Sequence, residues 1–374
     1  MAVRNGHLLS ELTRRRRMWP SLLAHHQRCL VATRRVEPPA DPLPPPASAV
    51  DEAAQQRARE IEQELQLARD IQQGLLLEAT PHLPGWEVTA ISLPARDLGG
   101  DLYDFLSLAN GWQGIMIGDV SGKGLPAALR MAVARTVFRH EARRNLDPAT
   151  TLAAVNLGVL SEIPHGMVTM LYAQLDPRSG VIRCANAGHT FPILIADQVR
   201  ELEVTGLPLG VDSDSEYTEL TATIAPGESL LLYTDGVIEA ERPDGHMFGF
   251  EQLAELIAAQ PQCKPRALAA ALVHAVRAWT NSVLSDDVTL VILRRRLLDL
   301  GAELRSVIAD VIGVERIETL WDTLFADGVP AEAEAWREVL PRLQAQAQAS
   351  LGRGLTRELM QQVRLTLDDY RMLL

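Results

Sequence analysis

The sequence predicts an α+β fold, and three observations carry that prediction. Short apolar runs bounded by turn residues recur through the middle of the chain. Helical stretches fall between them in pairs, which favours layered α+β over a doubly wound parallel sheet. A helical segment precedes this region and an all-helical one follows it. With 374 residues and a hydrophobic fraction of 47%, the chain can bury a sizeable core, and global disorder is excluded.

Residues 1–50 are basic at "TRRRRMWP" and close on "VEPPADPLPPPAS", a stiff linker that cannot enter a helix or a central strand. This arm is expected to be poorly ordered and solvated. Residues 51–79 lack proline and are rich in helix formers. Ala54, Ala58, Ile61, Leu65, Ala68 and Leu75 recur at three- and four-residue steps, with Gln72 interrupting the seam. The stripe fits a short helix pair or coiled coil, and equally a helix packed on its own domain.

Residues 80–296 carry the strands: "WEVTAISL", "GIMIG", "MVTMLYAQLD", "VIRCANA", "FPILIAD", "EYTELTATI", "SLLLYTD" and "VTLVIL". "DPRSG" between two of them signals a hairpin. Helical patterns cover 125–144, 148–162, 250–260 and 265–282. In residues 297–374 the pattern is helical throughout. One stripe runs from Leu304 to Leu324, a second from Trp336 to Leu343 and a third from Leu355 to Tyr370, which predicts three helices.

Net charge is −12, which argues against nucleic acid as a partner of the whole chain. Cys29, Cys184 and Cys263 are odd in number and far apart, so neither a disulfide framework nor a zinc site is expected, and the setting reads as cytoplasmic. No run approaches the roughly 18 apolar residues of a membrane span.

"DLGGDLYDF" sets acids among Leu98, Leu102, Tyr103, Phe105 and Leu106, all residues that prefer burial. The other aspartates fall in similar places. Asp119 ends the apolar run of "GIMIGDVSGKG", Asp235 follows "LLLYT", and Asp286 and Asp287 lead into "VTLVIL". Asp101 follows the Ala90–Leu93 region across Gly99-Gly100. Carboxylates at the ends of four apolar strands can converge at one rim of the sheets, where unpaired they would repel. Divalent cations relieve that repulsion, and ligands offering oxygen alone select hard Mg2+ or Mn2+ over zinc.

Six ordered motifs, "LGGDLYDF", "GDVSGKGLPAAL", "NAGHTFP", "GLPLG", "LLLYTDGVIEA" and "DDVTLVIL", resemble those of PPM-type (protein phosphatase 2C-like) serine/threonine phosphatases, in their bacterial SpoIIE-like branch. The resemblance spans roughly residues 68–293. It implies an αββα sandwich, two β-sheets flanked by helix pairs, with a binuclear Mn2+ or Mg2+ centre at its edge. By the same resemblance, Asp119 bridges both ions with help from the Val120 carbonyl, Asp235 and Asp286 complete one, and Asp101 helps hold the other. Asp104 and Asp287 are implied as supporting residues, and Arg96 as a phosphate contact. Where eukaryotic relatives place a histidine after the bridging aspartate, this chain has Val120-Ser121. His189 reads as a structural hydrogen-bonder, and Lys123 as solvated or structural.

The resemblance further implies a phosphorylated regulatory protein as substrate, such as an anti-sigma-factor antagonist. Helix 51–79 would then receive regulation from a protein partner or through homodimerisation. A catalytically silent scaffold that kept the fold for protein binding is the alternative. "GGD" also occurs in diguanylate cyclases, but Leu102-Tyr103 does not fit that signature, and the aspartates at 119, 235 and 286 would be left without a purpose.

Overall fold

The computed structural model describes residues 47–75, 80–144, 147–163, 166–260, 263–325 and 328–373. The expectations for residues 1–46 and 76–79 lie outside the described residues. Residues Glu60–Leu374 form one compact unit. Among the described residues no helix is long and apolar enough to cross a membrane.

Helix α1 spans Ala47–Leu75. Its Leu65, Ala68 and Leu75 are half-buried, while Ile61, Leu67 and Ile71 are exposed. After it come two five-stranded antiparallel sheets. The first runs β1 (Trp86–Leu93), β10 (Val288–Arg295), β9 (Ser229–Tyr233), β6 (Ile193–Ile195), β7 (Val199–Glu201). The second runs β2 (Leu102–Ser107), β3 (Gln113–Val120), β4 (Val168–Leu175), β5 (Val181–Ala187), β8 (Leu220–Thr223).

Alternation along the strands decides what each face covers. In β2, Tyr103 and Phe105 join Ile115, Ile117, Leu230, Leu232, Val291 and Leu293 in the core between the sheets. Leu102 and Leu106 point the other way, into a layer built with α2 (Leu125–Ala142) and α3 (Pro148–Glu162). On the far side, Leu231, Tyr233, Leu290 and Ile292 pack beneath α4 (Gly249–Ala258) and α5 (Pro265–Trp279). The four layers are the αββα sandwich that the motifs implied.

Local signals place the helices. Asp147 caps α3 by accepting from the Thr150 N–H at 2.7 Å. Asp299 caps the first helix of the C-terminal bundle, accepting from Ala302 N–H at 2.6 Å. The bundle has four helices rather than the predicted three: α6 (Leu300–Ile312), α7 (Val314–Leu324), α8 (Trp336–Leu351) and α9 (Arg353–Leu373). The stripe from Leu304 to Leu324 is one apolar face on two helices, because Gly313 breaks the backbone at φ +90°. That left-handed region admits glycine without steric cost.

A buried ionic network joins bundle and sandwich. Glu303 of α6, wholly buried, lies 3.3 Å from both Arg294 and Arg296 and accepts from Leu297 N–H at 3.1 Å. Glu87 of β1 stands 3.2 Å from Arg294, and Asp369 of α9 stands 3.3 Å from Arg296. The Tyr370 hydroxyl donates to the Leu297 carbonyl. Removing one partner of such a network strands a charge in low dielectric. Glu303→Ala is therefore expected to lower unfolding free energy by about 3–5 kcal/mol in urea titrations. Arg305→Ala, which loses the exposed pair with Glu318 and a long contact over the Trp321 ring at 6.0 Å, should cost about 1 kcal/mol or less.

Candidate metal centre

Five aspartates reach one rim from two sheets. Asp119 is the penultimate residue of β3 and stands opposite Thr169 in β4. Asp101 directly precedes β2. Asp235 opens a short 3₁₀ turn, Asp235–Val237, just past β9. Asp286 and Asp287 directly precede β10. Each sits where a buried strand ends, so the strand fixes the backbone while the carboxylate clears the core.

Hydrogen bonds lock the two sheets together at this rim. The Thr234 hydroxyl donates to Asp101 Oδ2 at 2.8 Å and accepts from Thr289 N–H at 3.0 Å. Asp287 accepts from the Ala95 and Gly100 N–H groups at 2.7 and 2.6 Å, pinning the loop that leads to Asp101. Asp287 N–H in turn donates to Asp286 Oδ1 at 2.9 Å. Close approach demands glycine here. A Cβ on Gly100 would fall 2.8 Å from the Val120 carbonyl oxygen and 3.0 Å from Asp119 Oδ1. A Cβ on Gly236 would fall 2.0 Å from the Asp287 carbonyl oxygen.

The electrostatics follow from this crowding. Burial, then the neighbouring charges of Asp235, Asp286 and Asp287, push the Asp119 carboxyl up to about 7. Burial and the charge of Asp119 hold Asp101 well above the usual carboxylate range. Asp235 is raised by burial, by Glu239 and by Asp286. The one ion pair to these acids among the described residues is Lys123, whose Nζ lies 2.8 Å from Asp286 Oδ2. A site of this kind, with oxygen donors and excess negative charge, fits a hard divalent ion. Its side chains are gathered but not closed: among the described residues no group of three or more His, Cys, Asp or Glu stands in metal-holding geometry.

Two sequence-predicted residues stand apart. Asp104 lies on the outer face of β2, wholly buried, where Arg139 donates to both carboxylate oxygens at 2.9 and 2.8 Å and Arg135 Nε lies 3.1 Å away. It anchors α2 to the sheet rather than supporting the rim, because two positions along a strand from Leu102 keep it on the helix-facing side. Arg96 is exposed in the loop before Asp101. His189 is the structural hydrogen-bonder that was expected. Asn186 brackets its turn, its Nδ1 lies 3.0 Å from the Thr169 hydroxyl, and burial lowers its pKa to about 4, so it is neutral at physiological pH.

Other participants escaped the sequence reading. Glu239, one turn beyond Asp235, adds to the negative field, and the run "DGVIEA" carried that signal. Gln72 does not serve a coiled-coil seam: its amide donates to the Gly99 carbonyl at 2.7 Å and accepts from Gly99 N–H at 3.3 Å. Arg69 pairs with Asp97 in the same loop. Two surface clefts, about 530 Å³ beside Trp279 and about 520 Å³ between α8 and α9, are not lined by any of the five aspartates.

The family model described as Stage II sporulation protein E (SpoIIE) matches residues 110–296, half of the chain. The chain belongs to the SpoIIE family. It is 28% identical over 243 residues to phosphoserine phosphatase RsbU of Bacillus subtilis, covering 64% of this chain and 72% of RsbU. It is 28% identical over 263 residues to protein IcfG of Synechocystis, covering 62% of this chain and 41% of IcfG. This chain therefore spans about two fifths of IcfG's length. Among solved structures it is similar to the SiaA-PP2C domain of Pseudomonas aeruginosa, with 25% identity and a TM-score of 0.56, covering 65% of this chain and 98% of that domain. The αββα sandwich is thus the PP2C fold, and the SpoIIE-family match extends from just before β3 through β10.

The raised Asp119 carboxyl has a consequence for stability. An unfolded aspartate titrates near about 4, and the folded one near about 7. Folding is therefore favoured by proton uptake at this site, and that contribution fades as pH rises through about 7. With a chelator present, the melting temperature should fall across this window, and Asp119→Asn should flatten the fall. Parallel melting curves against pH for parent and variant would refute this account of the rim.

Proposed function

We propose that this chain is a divalent-metal-dependent phosphatase acting on phosphoserine or phosphothreonine of a regulatory protein. The observation that carries the reading is the gathering of Asp101, Asp119, Asp235 and Asp286 at one rim, where burial and then the charges of Asp235 and Asp286 raise Asp119, and burial and then the charge of Asp119 raise Asp101. The relative named a phosphoserine phosphatase, RsbU, supports the reaction class. Asp119 with the Val120 carbonyl, Asp235, Asp286 and Asp101 would hold two ions, Mn2+ or Mg2+. Bound there, they supply Lewis acidity, lowering the pKa of a water and drawing charge from phosphate oxygens.

The chain's own residues do the rest. The paired sheets hold the carboxylates in place through Thr234 and Asp287, so little reorganisation accompanies charge development. His189, neutral and buried, stands 3.0 Å from the Thr169 hydroxyl of β4, the residue opposite Asp119. A phosphorylated anti-sigma-factor antagonist is the substrate class this reading favours.

Helix α1 is the proposed input for regulation, because Gln72 and Arg69 hold the loop that carries Gly99 and leads to Asp101. Gln72→Leu removes both bonds to Gly99 and should lower kcat/KM for p-nitrophenyl phosphate several-fold while leaving the fold intact. Unchanged kinetics would remove α1 from the regulatory scheme.

The direct test is p-nitrophenyl phosphate hydrolysis with and without Mn2+ or Mg2+. Asp119→Asn, which keeps side-chain volume but loses a charged ligand, is expected to lower turnover by more than about 100-fold with an unchanged circular dichroism spectrum. Absence of turnover by the parent chain with either metal would favour the silent scaffold.

A further inference from the structure

We propose that Lys123 tunes the divalent-metal affinity of the rim by competing with the ion for Asp286. The inference rests on reading the rim as a metal centre and adds a residue that none of the family resemblance assigns to it.

Lys123 lies in the loop 121–124 between β3 and α2, flanked by Gly122 at φ +104° and Gly124 at φ +72°. Both glycines occupy the left-handed region that side-chain-bearing residues rarely adopt, so the loop shape is set by the backbone. That shape sends the lysine side chain across to the loop before β10. Its Nζ lies 2.8 Å from Asp286 Oδ2 and donates to the Ser285 carbonyl at 2.6 Å.

The consequences for Asp286 are specific. Its Oδ1 already accepts from Asp287 N–H, and its Oδ2 faces the ammonium. A divalent ion shared with Asp235 needs an oxygen that the ammonium now engages. Asp101, Asp119, Asp235 and Asp287 have no ion-pair partner among the described residues, so the lysine acts on one acid of the set. Both members of the pair are more than a third exposed, 38% and 39%. Solvent screens such a pair, and an ion of twice the charge can displace the ammonium at small cost. Lys123 is thus a weak internal competitor, placed to lower affinity modestly without blocking the site.

The test is calorimetric titration of the metal-stripped full chain with MnCl2 and MgCl2. Lys123→Met should tighten binding about two- to fivefold, the range an exposed ion pair can contribute. In an Asp286→Asn background the same lysine substitution should change affinity by less than about 1.5-fold, since the contested oxygen has lost its charge. Unchanged or weaker binding by Lys123→Met overturns the proposal. So does a tightening of equal size in the Asp286→Asn background, which would mark a diffuse charge effect instead of competition. Failure of the parent chain to bind either ion would overturn the metal centre itself and this inference with it. Binding by the parent that Lys123→Met leaves unaltered overturns the competition alone.

Discussion

Repulsion among carboxylates held by two separate sheets is the constraint on which the rest of this structure depends. Asp119 and Asp101 belong to the sheet built on β2 and β3, while Asp235, Asp286 and Asp287 belong to the one built on β9 and β10. Left to electrostatics, the sheets would part at this edge, because burial and then the charges of Asp235, Asp286 and Asp287 on the opposite sheet raise the proton affinity of Asp119. What holds them is the apolar core between the sheets, together with short polar ties. The Thr234 hydroxyl reaches Asp101 across the sheets, and Asp287 grips the Gly100 N–H. The sandwich therefore stores unfavourable charge at one edge, in a form that a cation can relieve.

Much of this was legible in the sequence, and the reasons are physical. Strand runs such as "SLLLY" and "VTLVIL" must be buried, and an aspartate directly beyond such a run can only lie at its mouth. Ordered motifs then identified the fold. What the sequence hid were partnerships between residues far apart in the chain. Asp104 reads like its neighbours in "GGDLYDF", but the pleat turns it toward Arg135 and Arg139 of α2. Lys123 and Asp286 lie 163 positions apart, and no local pattern joins them. Gln72 looked like a fault in an apolar seam because its partner, the backbone of Gly99, has no side chain to announce it. The split of one apolar stripe into α6 and α7 turned on Gly313, a single residue whose backbone angle is not written in the periodicity.

The C-terminal bundle is tied to the sandwich by a different kind of interaction from the rim. At Glu303, Arg294, Arg296, Glu87 and Asp369, opposite charges are matched in a buried setting, and hydrogen bonds to Leu297 complete the set. Such networks fix geometry more than they add stability, since desolvation offsets much of the attraction. The bundle's own core, where the rings of Trp336, Trp321 and Phe325 lie tilted against one another with centroids 4.5–6.2 Å apart, supplies its cohesion. One end of β10 thus enters the matched network through Arg294, and the other begins at the acid-rich rim, where, among the described residues, Lys123 pairs with Asp286 alone of the five aspartates. The strand spans the two electrostatic regimes of the molecule.

The loop from Ala95 to Asp101 is where these forces meet. On one side, Asp287 accepts from two of its backbone N–H groups; on the other, Gln72 and Arg69 of α1 bind Gly99 and Asp97. Gly99 and Gly100 have no side chains to brace the loop, and a Cβ on Gly99 would fall 2.5 Å from Asp287 Oδ2. Its position is thus decided by partners on both sides, neither of which the loop can replace by itself. Loss of the α1 bonds would leave the Gly99 N–H and carbonyl without those partners, and the loop would relax toward whatever else could satisfy them. Asp101 follows directly, and its own carboxyl is raised by burial and then by the charge of Asp119. Two peptide bonds separate the Gly99 that Gln72 of α1 holds from Asp101 at the rim.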